Sequence, residues 1–67
     1  MALTQTQQLL FDGLNAFPTT RAQRIHIWLM MDSEAQMWEM MEYMKTHLEA
    51  TGDELMAAAV RITGGLK

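Results

Sequence analysis

The sequence contains no cysteine among its 67 residues. Without thiols the chain cannot form disulfides, thiolate zinc sites or a cysteine nucleophile, and nothing indicates an oxidising compartment. Basic residues are also few, since five Lys and Arg stand against eight Asp and Glu and give a formal net charge of −3. This acidic balance disfavours non-specific attraction to nucleic acid and to anionic lipid. Neither nucleic acid nor a membrane is therefore an expected partner.

Long apolar runs are lacking as well. No stretch approaches the roughly 18 apolar residues of a transmembrane helix, and the first residues lack the basic and apolar regions of a signal peptide. We therefore expect a cytoplasmic protein. Residues 1–67 have room for a single helical domain, which at this size buries only about 60% of the surface of its unfolded chain. The small core favours homodimerisation as reinforcement.

The longest periodic segment covers residues 33–50. Its apolar side chains recur at the i, i+3, i+4 and i+7 spacing of one helix face, in the order Met37, Met40, Met41, Met44 and Leu48. Ser33 and Gln36 have the spacing of a capping box, which places the start of the helix at Ser33. This pattern predicts an amphipathic helix whose methionine stripe is buried either within one chain or between two chains.

Three further helices are predicted over residues 4–15, 20–31 and 52–63. Leu3, Leu10, Leu14 and Phe17 form the stripe of the first of these helices. Thr20 with Gln23 and Thr51 with Glu54 repeat the capping-box spacing, and Pro18 places a boundary after the first helix. The predicted fold class is therefore all-α, a small bundle of four short helices that ends in a frayed tail at 64–67.

In chain order the predicted helices 2 and 3 cover residues 20–31 and 33–50, and helix 2 is apolar on nearly all sides. One stripe consists of Ala22, Ile25 and Leu29, whereas Ile27, Met30 and Met31 fall on the other side. Such an element is usually enclosed by neighbours, so helix 2 is predicted to be central. A strand is the alternative, because residues 24–27 begin as an alternation of polar and apolar residues. No second strand is available to pair with it.

No catalytic, cofactor-binding or metal-binding residue is predicted. Glu39, Tyr43 and His47 follow one flank of helix 3 and are compatible with an acid–base relay, but no nucleophile accompanies them. Weak contacts between solvated residues one turn apart explain the same spacing. An enzyme is therefore not expected.

Trp38 stands away from the methionine stripe, among charged residues. Glu34 and Glu42 lie one turn before and after it, and Lys45 shares their side of helix 3. An exposed aromatic ringed by charge is typical of an interface anchor, so these four residues form the predicted partner-binding site. In the alternative, Trp38 covers the core at the edge of helix 2. The acids of this region can also mimic a phosphate path for a basic partner.

The segment MMEYMKTHLEATGDELMAAAVRIT resembles the first two helices of helix-turn-helix and winged-helix domains, over about a third of the chain. The resemblance implies a DNA-binding regulator. After Ile62, however, the chain offers no recognition helix with side chains aimed at base edges. Arg21 and Arg24 would then make the DNA contacts, and a dimer would contain two copies of this pair.

These patterns predict a methionine-rich, acidic, non-enzymatic interaction module, such as an adaptor, regulator or inhibitor of bacterial or phage type. The predicted partners are a second copy of the chain and an unidentified protein. The alternative is a truncated helix-turn-helix regulator that acts as a dimer.

Overall fold

The computed structural model describes residues 4–64, and every regular element in this range is a helix. The elements are α1 (Gln5–Asn15), α2 (Arg21–Met30), α3 (Glu34–Thr46) and α4 (Gly52–Ile62). The all-α prediction is confirmed, and the strand alternative at residues 24–27 is wrong. Leu3 and the tail residues 65–67 lie outside the described residues.

A polar side chain caps the N-terminus of each helix. Complete capping boxes precede three helices, formed by Thr4 with Gln7, Thr20 with Gln23 and Thr51 with Glu54. At α3 the Ser33 hydroxyl accepts from the backbone N–H of Gln36 at 3.3 Å. The Gln36 side chain, however, accepts from the backbone N–H of Asp32 at 2.6 Å, so the predicted box at Ser33 is only half formed.

The core draws on all four helices and on the two connections that flank α3. Its buried apolar residues are Leu10, Leu14, Ile27, Met31, Met37, Met40, Met44, Ala50, Leu55, Ala58 and Ala59. Three methionines of the predicted α3 stripe are thus buried within the single chain. The small alanines of α4 allow close approach of its neighbours.

The helices pack in a closed cycle in which each one contacts two others. α1 packs on α3, α3 on α4, α4 on α2, and α2 on α1. Within residues 4–64, α2 and α3 follow each other in the chain but are not a packed pair. The Cα radius of gyration of 10.8 Å matches the ~11 Å expected for a compact chain of this length.

This cycle does not show helix 2 at the centre of the bundle. Ile27 of α2 is fully buried, whereas Ile25 is partly exposed and Leu29 is 66% exposed. The stripe of Ala22, Ile25 and Leu29 faces away from the core. The physical reason is that α2 packs on α1 and α4 with the opposite side, on which Ile27 is buried.

Helix 3 ends at Thr46 rather than at the predicted Ala50. The Thr46 hydroxyl donates to the carbonyl oxygens of Glu42 at 3.3 Å and Tyr43 at 3.1 Å. His47 caps the helix, and its ring stacks on that of Tyr43 with the centroids 3.9 Å apart. The chain then turns so that Ala50 enters the core. Leu48, predicted as a core residue, is instead 75% exposed.

None of the helices within residues 4–64 has both the length and the apolar character needed to span a bilayer.

Candidate functional site

An apolar groove of about 380 Å³ runs between α1 and α3. We call it the Trp38 groove. It is lined by Leu9, Gly13, Ala16, Phe17, Trp38, Met41, Glu42, Met44, Lys45 and Leu48. The first four of these residues come from α1 and the turn after it. The remainder come from α3 and from the turn that follows it.

Gly13 allows α1 to approach α3 beneath this groove. A Cβ at position 13 would lie 2.9 Å from the terminal methyl carbon of Met44, which is a buried core residue. The absence of a side chain therefore accounts for a glycine within a helix, where it costs about 1 kcal/mol relative to alanine. Because α1 and α3 approach each other closely at Gly13, the larger side chains around this point enclose a concave apolar surface.

Trp38 forms part of the groove wall and is 50% exposed. Trp38 shares this groove with residues of α1 and is not among the partly buried apolar side chains packed against the core. The core-lid alternative is therefore not supported. Leu9, at 45% exposed, and Leu48 are the other exposed large apolar side chains of the groove.

Two charged residues of the predicted site lie at the rim of the groove. Lys45 Nζ is 3.9 Å from Glu42 Oε2, and both side chains are well exposed, so this ion pair contributes little to stability. Glu34 is exposed in the first turn of α3 and does not line the groove. The structure thus brings together Trp38, Glu42 and Lys45, and leaves Glu34 outside.

The outer face of α2 forms a second apolar surface, which we call the α2 ridge. It consists of Ala22, Ile25 and Leu29, all of them exposed. None of the three lines the Trp38 groove.

The two arginines of α2 differ in their surroundings. Arg21 is exposed at the start of the helix. Arg24 is half-buried, and its Nη1 donates to the Thr19 carbonyl oxygen at 2.7 Å and to the Thr19 hydroxyl at 3.3 Å. The Arg24 guanidinium therefore holds the connection between α1 and α2. DNA contact by these residues stays a prediction.

Glu39, Tyr43 and His47 do not share one pocket. A small depression is lined by Glu39, Tyr43, Arg61 and Ile62, with the Arg61 guanidinium carbon 5.7 Å from the centre of the Tyr43 ring. His47 lies outside it, and its Nδ1 is 2.9 Å from the Tyr43 carbonyl oxygen. His47 thus acts in the helix cap. Among residues 4–64 no group of three metal-ligating side chains converges.

One carboxylate has a perturbed pKa. The hydrogen bond that the Thr51 backbone N–H donates to Glu54 Oε1 at 2.9 Å lowers the pKa of Glu54 below its ordinary 4.5. The Thr51 side chain adds to this effect, and nearby His47 contributes less. The shift is a property of the capping box of α4.

The α1 wall of the groove was not anticipated from the sequence. Its members are Leu9 and Gly13, four residues apart on α1, together with Ala16 and Phe17 in the turn after it. The apolar Leu9 beside the small Gly13 is the sequence signal that could have indicated this wall. Comparison of the chain with models of known protein families, with curated proteins and with solved structures gives no match.

Proposed function

We propose that this protein is a non-enzymatic helical protein–protein interaction module that receives its partner in the Trp38 groove. The observation that carries the proposal is the exposure of Leu9, Trp38 and Leu48 around one continuous apolar groove. Contiguous exposed apolar side chains mark interaction sites, because covering them recovers about 25 cal/mol for each Å² removed from water. An adaptor, regulator or inhibitor would act through such a surface.

The composition of the groove supports a helical partner. Its walls are two helices, its floor is apolar, and its charged groups stand at the rim. An amphipathic helix fits a groove of this kind with apolar anchors at i, i+3 or i+4 and i+7. Trp38 would supply the largest contact, since tryptophan is enriched among the residues that dominate binding energy. A second copy of the chain is one of the expected partners. The expected location of this association is the cytoplasm.

Site-specific photo-cross-linking tests the proposal. A benzophenone amino acid placed at Leu48 reports on the groove, and the same residue placed at the exposed Ala57 of α4 is the matched control. In extracts of cells that express the protein, we expect adducts with protein at position 48 and few at position 57. The absence of protein adducts at position 48, or equal yields at both positions, would contradict the proposal.

DNA binding provides a separate check, because the predicted alternative is a dimer that contacts DNA through Arg21 and Arg24. Phosphate contacts by two arginines in each chain would be sensitive to salt. We expect no binding of duplex DNA at physiological salt. Binding that persists there would favour the helix-turn-helix alternative.

A further inference from the structure

The Trp38 groove and the α2 ridge are complementary in shape. The groove is concave and apolar, whereas the ridge is the convex outer face of a helix with Ile25 and Leu29 one turn apart. Ile27, two residues from each of them, is fully buried, so the ridge faces away from the core. The ridge therefore cannot reach the groove of its own chain.

The two surfaces also have opposite charge. α2 carries two arginines and no acid, whereas the side of α1 and α3 that contains the groove carries three carboxylates against the single Lys45. These exposed carboxylates are Glu42 at the rim, Glu34 one turn before Trp38, and Asp12 next to Gly13. A basic helix is thus attracted to the face that contains the groove.

We infer that the occupant of the Trp38 groove is the α2 ridge of a second copy of this chain, so that copies associate head to tail. This inference rests on the proposed function of the groove. Leu29 and Ile25 of one copy enter between Leu9, Trp38 and Leu48 of the next. Arg21, at the start of the ridge helix, lies towards the acidic face of the receiving copy.

Charge argues against the symmetric arrangement in which two copies meet groove to groove. Such a two-fold contact would place the acidic faces of α1 and α3 against each other, and like charges across an interface are unfavourable. A head-to-tail contact instead leaves one unoccupied ridge and one unoccupied groove at the ends of each assembly. Assemblies of this kind grow or close into rings rather than stop at two copies.

Complementation between two variants tests the inference. Leu29→Glu places a charge on the ridge and leaves the groove unchanged. Leu48→Glu places a charge in the groove and leaves the ridge unchanged. Both side chains are largely exposed, so both variants are expected to fold with the wild-type circular dichroism spectrum. Ala57→Glu adds the same charge on α4, outside both surfaces, and is the matched control. Trp38→Ala is a second groove variant.

Sedimentation equilibrium supplies the readout. We expect the mean mass of the wild-type protein and of Ala57→Glu to rise above 7.7 kDa with concentration. Each single variant should shift this rise to about tenfold higher concentration or beyond, as loss of a central apolar contact does. An equimolar mixture of Leu29→Glu and Leu48→Glu should form a one-to-one pair and nothing larger, since each pair has one intact contact.

Two sedimentation results would overturn the inference. One is a wild-type protein that stays monomeric up to about 1 mM, where even weak association with a free energy near −4 kcal/mol is visible. The other is a wild-type protein that self-associates while the mixture of variants stays monomeric. Groove cross-links at position 48 to another protein, with none to the chain itself, would overturn this inference and leave the proposed function standing. The absence of all protein cross-links would overturn both.

Discussion

At the scale of single residues, the Gln23 side chain joins the N-termini of two helices. Its Oε1 accepts from the Thr20 backbone N–H at 3.0 Å and its Nε2 donates to Asp53 Oδ1 at 3.2 Å. A Cβ at the buried Gly52 would overlap this amide. We therefore expect Gly52→Ala to lower the free energy of unfolding by about 1 kcal/mol, because Gln23 must leave its capping position. Urea unfolding measures the change.

A double-mutant cycle separates this contact from other effects of the added methyl group. In a Gln23→Ala background the overlap no longer exists, so Gly52→Ala should cost almost nothing there. An equal cost in both backgrounds would contradict the assignment. Gly13→Ala is the matched control, since its Cβ would meet only the movable end of Met44 while alanine improves helix propensity by about 1 kcal/mol. Its net effect should be close to zero.

Glu54 links stability to pH. Its pKa in the folded chain is lowered from 4.5, so its ionised form stabilises the fold above the unfolded value, and this contribution is lost as the pH falls through the folded pKa. Glu54→Gln retains an acceptor for Thr51 but no charge. We expect the wild type to melt at a higher temperature than Glu54→Gln at neutral pH, and this difference to shrink on acidification below about pH 4.5. A pH-independent difference would contradict this account.

At the scale of elements, the C-terminus of α3 shows what periodicity leaves open. The apolar spacing predicts that the helix continues through Leu48, but polar side chains end it at Thr46. Thr46 bonds back to two carbonyl oxygens, and His47 stacks on Tyr43. Burial of Ala50 then requires the chain to turn. These interactions depend on the tertiary position of the turn, which the periodic pattern does not contain.

Truncation of two apolar side chains tests this end directly. Leu48→Ala should change the free energy of unfolding by less than about 0.5 kcal/mol, because Leu48 is mostly exposed. Met40→Ala, at a fully buried position of α3, should cost about 2–5 kcal/mol. Urea denaturation of both variants provides the comparison. A decrease of more than about 2 kcal/mol in the free energy of unfolding of Leu48→Ala would contradict this and indicate that α3 continues to Ala50.

The existence and order of the helices could be predicted because the signals are local. The capping pairs at Thr20 and Thr51 and the methionine stripe of α3 each lie within a few turns of chain. The groove is different, since it requires α1 to pair with α3, two elements that are not consecutive. Trp38 was identified by its charged surroundings. Its neighbours on α1 depend on that pairing and on Gly13.

At the scale of the whole molecule, a single copy of the chain forms a compact core. Its accessible surface is 4593 Å², close to the ~4,300 Å² typical of a folded protein of 7.7 kDa. Met37, Met40 and Met44 are buried within the one chain, so the core requires no second copy. The proposed association through the groove is therefore separable from folding. Variants of the exposed groove should lose binding and remain folded.

The central claim is that Trp38 belongs to a binding surface and not to the core. The most direct measurement is the yield of protein adducts from a photo-cross-linker at Leu48, compared between the wild type and Trp38→Ala. We predict that the substitution lowers this yield about tenfold or more, as expected for an anchor residue, while helicity and cooperative unfolding persist. An unchanged adduct yield, or loss of adducts only in step with loss of the fold, would contradict the claim.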